Sequence, residues 1–285
     1  VEPMTALRMA TINPAEAYRV DHIVGMLAPG RKADVLVVDD LNEFRPRMVF
    51  AQGRQVSVNG ELVIDVTKSP FVSGNSIHIA GEITADVIRS QLSVGNRSPV
   101  TAHVLDIPQD IPVAKLALEP VPVQGGFACP DPSNDLSILC VVERHHATGN
   151  LSLAFVRGFR LKQGAMASSI AHDHHNLIGI GASIEDLALA LNRVAEMKGG
   201  QVVVAGGQVL AELPLPILGL MSDRDPIDVC ARIKGLEQAA HKIGNQMNWP
   251  LMFLSFLSCS AGPGFAITDK GIYDGFNKRM IGTFA

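Results

Sequence analysis

The spacing of apolar and polar positions divides the chain into two stretches of different texture. In the first, Asn13-Pro14-Ala15-Glu16 predicts a helix start, with Asn13 as cap, proline tolerated in the opening turn and Glu16 at the positive helix end. A turn through Pro29 and Gly30 leads into an apolar run, residues 33–38, that predicts a buried strand. Residues 47–51 and 55–58 predict a hairpin about Gln52-Gly53-Arg54, and Asn59-Gly60 marks the next tight turn. Residues 67–75 gather Ser, Pro, Gly and Asn and predict a linker, separating a segment 1–66 from a larger region 76–285.

Beyond the linker, helix and strand patterns follow one another without a regular βαβ alternation. Residues 136–142 and 177–181 read as strands. Ser183-Ile184-Glu185-Asp186 resembles a capping box, after which Leu187, Leu191, Val194 and Ala195 hold one helical face up to Gly199-Gly200. Residues 201–205 and 208–213 form a hairpin pattern about Gly206-Gly207. Asp225-Pro226 opens a further helix with Val229, Ile233, Leu236, Ala240 and Ile243 on its buried face and Gly244 closing it. Residues 251–257 form a strand-length apolar core element. Together these predict an α+β fold with a largely antiparallel sheet. The uncharged run 248–268 is long enough to cross a bilayer, but Pro250, Gly262, Pro263 and Gly264 interrupt it, so it reads as buried core and no membrane partner is expected.

Against this apolar background, residues 168–176 stand out as Ser168-Ser169-Ile170-Ala171-His172-Asp173-His174-His175-Asn176. Polar groups pressed against buried strands must find partners, so the run is either a functional site or a satisfied internal network. On an extended chain His172 and His174 would share a face, with Asp173 and His175 opposite. Two imidazoles at that spacing can hold a divalent metal, and a nearby carboxylate can orient a ring or act as a base. A second cluster, Glu143-Arg144-His145-His146, follows the strand 136–142 and suits either a site rim or a salt-bridged strand end.

Composition narrows the remaining classes. At 47% hydrophobic and 18% charged, the 285 residues can bury a proper core. A net charge of −4 and a pI near 6.1 give no overall basic footprint for nucleic acid. Four scattered cysteines without a C-x-x-C pair predict reduced, mostly buried thiols. The phosphate-binding loop, the G-x-S-x-G elbow of serine hydrolases and the H-x-E with P-C-x-x-C signature of zinc cytidine deaminases are not in the sequence. The opening Val1-Glu2-Pro3 is no signal peptide and lacks an initiator Met, which predicts a piece of a longer protein.

The run ALRMATINPAEAYRVDHIVGMLAPGRKADVLVVDD, from Ala6, resembles the closing segment of the amidohydrolase superfamily. There a last helix leaves a metal-bearing (β/α)8 barrel, and a G-x-[IL]-x-P-G-x-x-A-D stretch returns to a small accessory β-sandwich. GAMASSIAHDHHNLIGIG at 164–181, GGQVVV at 199–204 and LAELPLPILGLMSD at 210–223, with Glu143-Arg144-His145, resemble the C-terminal domain of the prokaryotic adenine deaminase family. Arg160 departs from that pattern, where a second glycine after Gly158 is expected.

The resemblance implies hydrolysis of adenine to hypoxanthine and ammonia by water activated on a divalent metal, Mn, Fe or Zn. It implies a cytoplasmic homo-oligomer, a homodimer being expected, whose small-molecule partner is a purine. The family's principal metal ligands precede the material present here, so none is assigned in this chain, and the chain alone is expected to be inactive. On this reading residues 1–66 are the barrel's closing helix and sandwich strands. His172, Asp173 and His174 are the catalytic candidates, on a loop covering the barrel mouth. Ser168, Ser169, His175, Asn176, Glu143, Arg144 and His145 support that loop or contact substrate. Another amidohydrolase reaction, on a cyclic amide or other nucleobase, and a purely structural or oligomerising C-terminal domain are the alternatives.

Overall fold

The computed structural model describes residues 1–66, 74–108 and 113–285. It divides into two compact units, Val1–Pro70 and Phe71–Ala285. The expected linker lies outside the described residues, apart from Gly74 and Asn75.

In the first unit, helices α1 (Pro3–Ala10) and α2 (Ile12–Ala17) precede an antiparallel meander of β1 (Val35–Val38), β2 (Pro46–Ala51), β3 (Arg54–Val58) and β4 (Glu61–Leu62). Asn13 does not cap a helix. The chain is helical from Pro3, with the Glu2 carboxylate accepting from Met4 N–H, and it restarts at Ile12, so Pro14 falls in a first turn that needs no N–H from it. The β2–β3 and β3–β4 turns sit at Gln52-Gly53 and Asn59-Gly60, as expected. Among the described residues of this unit only Ile12 and Ala15 are buried. A cleft of about 680 Å³ opens between α1 and β1, lined by Leu7, Ile12, Met26, Val35 and Phe44 among others.

The second unit is built on one large sheet. Its elements are α3 (Ala85–Gln91), β5 (Val100–Asp106), β6 (Lys115–Val121), the short pair β7 (Val123–Gln124) and β8 (Phe127–Ala128), β9 (Ser137–Val142), β10 (Leu151–Arg157), β11 (Ala165–Ser168), β12 (Leu177–Gly181), α4 (Ile184–Glu196), β13 (Gly200–Ala205), β14 (Gln208–Pro214), α5 (Pro226–Lys242), α6 (Pro250–Phe256), β15 (Phe265–Thr268), β16 (Gly271–Asp274) and β17 (Arg279–Ile281). The eight-stranded order is β14-β13-β11-β12-β9-β10-β5-β6. It is assembled from four hairpins, β5–β6, β9–β10, β11–β12 and β13–β14, and the β5–β10 join is parallel while the other joins are antiparallel.

Both faces of this sheet are covered, which explains its unbroken apolar runs. Ile138, Cys140 and Val142 of β9 point to the side of α3 and α4, whereas Leu139 and Val141 point to the side of α5, α6 and the small sheet β15-β16-β17. Ser183 caps α4 by accepting from Asp186 N–H at 3.2 Å, and Leu187, Leu191 and Val194 are buried beneath it. The α+β reading with a largely antiparallel sheet holds for this unit.

Three further expectations need correction. Residues 251–256 form most of helix α6, opened by Pro250 and capped at Leu257; Leu251 and Leu254 face the core while Met252 is exposed, a helical spacing hidden by the uniformly apolar composition. Ile233 is exposed, because burial along α5 begins only at Leu236, where Ala239, Ala240 and Ile243 join it. Of the cysteines only Cys140 is buried; Cys129 and Cys259 are half-buried and Cys230 is exposed, all four as free thiols. Arg160 has a φ of +54°, the conformation a glycine adopts most easily, and its N–H is held at 2.5 Å by the Asp135 carboxylate. No helix among the described residues is long and apolar enough to cross a membrane.

Candidate functional site

Strand pairing brings the two polar clusters to one end of the sheet. Val142, the last residue of β9, pairs with Leu177, the first of β12, so segments 143–148 and 169–176 emerge side by side. Ser168 at the end of β11 pairs with Gln201 of β13, which adds the Gly199-Gly200 corner to the same end.

Residues 172–174 form a turn, so His172 and His174 do not share a face as an extended chain would place them. The His172 ring stacks on Phe256 of α6 at 4.7 Å between centroids and 4° between planes, and its Nδ1 lies 3.2 Å from Ser255 Oγ. The His174 ring turns the other way, with Nδ1 accepting from Asn176 N–H at 3.1 Å and Nε2 at 3.3 Å from the Ile267 carbonyl. His175 Nδ1 accepts from Ala171 N–H at 3.3 Å, and its ring lies 5.7 Å from that of His172. Asp173 is exposed; its carboxylate lies 3.8 Å from Cys259 Sγ. Burial holds the His174 and His175 imidazoles below their ordinary 6.5, and for His175 the neighbouring His172 and Arg144 act in the same direction.

The second cluster clamps this loop. Arg144 is 2% exposed. Its Nε donates to the His175 carbonyl, Nη1 to the Ser76 carbonyl at 2.8 Å and Nη2 to the Leu218 carbonyl at 3.1 Å, while its backbone N–H reaches Asn176 Oδ1 at 3.3 Å. Its side-chain acceptors among the described residues are thus carbonyls and the Ser76 hydroxyl, and burial lowers its pKa. His145 Nε2–H donates to the His174 carbonyl at 2.8 Å. Asn176 Nδ2 donates to Asp269 at 3.3 Å, and the same carboxylate accepts from Asn150 at 3.0 Å.

Glu143 does not face that network. Burial opposes its charge, but N–H groups of Thr148, His145 and His146 and the Thr148 hydroxyl converge on the carboxylate at 2.5–3.1 Å and lower its pKa to about 2. Ser169 is a staple, its hydroxyl accepting from Gly200 N–H at 2.8 Å and donating to the Gly219 carbonyl at 2.5 Å. Ser168 Oγ accepts from Ile170 N–H at 2.9 Å. The sequence pattern missed Ser76, Ser255, Phe256, Ile267 and Asp269, since nothing local marks residues tens of positions away that close on this loop. Gly200 and Gly219, which hold Ser169, were signalled by the stretches GGQVVV and LAELPLPILGLMSD.

A model of the adenine deaminase C-terminal domain matches residues 113–279, and a model of the amidohydrolase family matches residues 1–56. The chain belongs to the adenine deaminase C-terminal domain family. It is 40% identical over 282 residues to adenine deaminase 1 of Latilactobacillus sakei, covering 99% of this chain and 47% of that protein. It is 39% identical over 288 residues to adenine deaminase 4 of Rhizobium meliloti, covering 100% of this chain and 48% of that protein. Against adenine deaminase of Clostridium botulinum strain Loch Maree the identity is 35% over 275 residues, covering 96% and 46%. The chain spans about half the length of the curated relatives it matches.

The match of residues 1–56 to the amidohydrolase family model points to a divalent metal. The residues of this chain do not fit one by themselves: among the described residues no three His, Cys, Asp or Glu side chains gather to hold an ion.

Proposed function

We propose that this chain is the C-terminal half of a metal-dependent adenine deaminase that hydrolyses adenine to hypoxanthine and ammonia. One observation carries the reading: relatives named adenine deaminase match along almost the whole chain, in both units. The divalent metal, Mn, Fe or Zn, is held by residues outside this chain. The first unit supports that division. With only Ile12 and Ala15 buried among its described residues and an apolar cleft beside α1, it has little core of its own there, as expected if α1 and α2 close a barrel and the meander belongs to an accessory sandwich. The enzyme acts in the cytoplasm as a homo-oligomer on a free purine.

Within this reading, the loop 172–176 covers the active centre and excludes water. His172 and Asp173 stand on its accessible side. His174, His175 and Asn176 shape the loop, and Arg144, His145, Ser168 and Ser169 hold it, with Glu143 ordering the adjoining turn. The test is ammonia release by the full-length protein, loaded in turn with each metal, from adenine, guanine, cytosine and cyclic amides. Adenine should exceed every other substrate in kcat/KM by about 100-fold or more. Preference for a cyclic amide, with adenine left intact, would replace this reading by another amidohydrolase reaction.

A further inference from the structure

The hydrogen bonds of the loop fix where each imidazole carries its proton. Backbone N–H groups can only donate, so His174 Nδ1, facing Asn176 N–H, and His175 Nδ1, facing Ala171 N–H, must both be bare. The neutral rings therefore carry hydrogen on Nε2. His174 spends that hydrogen on the Ile267 carbonyl and has nothing left to offer. His175 Nε2–H has no partner among the described residues.

His172 is the opposite case. The Ser255 hydroxyl has one hydrogen, and it donates to the Met252 carbonyl at 2.8 Å. Ser255 Oγ can then only accept from His172, which places a hydrogen on His172 Nδ1, so that in the neutral ring Nε2 is a bare lone pair. No described residue bonds to that Nε2, and the ring is half-exposed and held flat against Phe256. Of the three imidazoles in the loop, this is the one that presents an acceptor, beside a donor on His175.

We propose that His172 Nε2 accepts a hydrogen bond from the exocyclic amine of a bound aminopurine, with His175 Nε2–H directed at a ring nitrogen of the same base. The inference rests on the adenine deaminase reading and adds to it the groups that distinguish substrate from product. Adenine offers an amine donor beside a ring acceptor. After hydrolysis the amine is a carbonyl oxygen, which sets an acceptor against the bare His172 nitrogen and weakens the hold on hypoxanthine.

Two measurements on the full-length protein test this. In long-range proton–nitrogen spectra of protein with 15N-labelled histidine, the signal that disappears in H172Q should show its proton on Nδ1. The signal lost in H175Q should show it on Nε2. In kinetics, H172F keeps a flat ring over Phe256 but removes the acceptor, and kcat/KM for adenine should fall about 100-fold. H172Q, whose amide oxygen can stand near the lost Nε2, should recover to within about fivefold of wild type. A His172 proton found on Nε2, or an H172F enzyme as active as wild type, overturns the assignment while leaving the deaminase reading intact. A wild-type enzyme that leaves adenine untouched overturns that reading and, with it, the ligand named here.

Discussion

Gly219 shows how little room the clamp leaves. It has a φ of +73°, and a Cβ built there would stand 2.8 Å from Arg144 Nη1. On its other side, a Cβ on Gly199 would come within 2.3 Å of the Gly219 Cα. The guanidinium lies over bare backbone because three carbonyls, from His175, Ser76 and Leu218, must all reach it. Gly219→Ala should therefore cost about 2–4 kcal/mol, from left-handed strain together with displacement of a buried cation from its acceptors. Urea unfolding of wild type and variant would measure it; a loss below about 0.5 kcal/mol would show that the clamp tolerates a side chain and does not fix the loop.

The turn after β9 and the loop before β12 also make the fold sensitive to acid. Glu143, at about 2 in the folded protein, and His174 and His175, below 6.5, all bind protons more readily once unfolded. Stability from the histidines is complete above 6.5 and is lost as pH falls; that from Glu143 is complete above 4.5 and is lost toward about 2. Thermal unfolding should show Tm falling through both windows, and Glu143→Gln should lower Tm at neutral pH while flattening the dependence below 4.5. A Glu143→Gln profile parallel to wild type would mean that the carboxylate is not what the turn folds around.

Elements with a local cause were legible in the sequence: the Ser183 cap, the glycine turn between β13 and β14, the Asn59-Gly60 turn and the β9 strand. Helix α6 was not, because a uniformly apolar run has no visible period. The two polar clusters were legible, but their geometry was not. An alternating pattern assumes an extended chain, whereas Ser255, Phe256 and Ile267 draw His172 and His174 in different directions.

The two units differ in how much they can hold by themselves. The second buries its sheet on both faces, while among the described residues of the first only two side chains are buried. In this chain, amide hydrogen exchange should be complete within seconds to minutes across residues 1–66 and slow along β9, β11 and β12. Protection of β1–β3 equal to that of β9 would show that the meander needs no further partner.

The composition of the large sheet also orders its assembly. Each of its four hairpins closes between neighbouring segments, a microsecond event for an isolated hairpin. Laying β5 alongside β10 in parallel, Val104 against Phe155, instead waits for a long stretch of backbone to double back. Of the three joins between hairpins, β11–β13, β9–β12 and β5–β10, the last pairs the segments farthest apart in the chain, so the rate of refolding should be set by it, with the β5–β6 hairpin arriving last on a platform the other six strands have already formed.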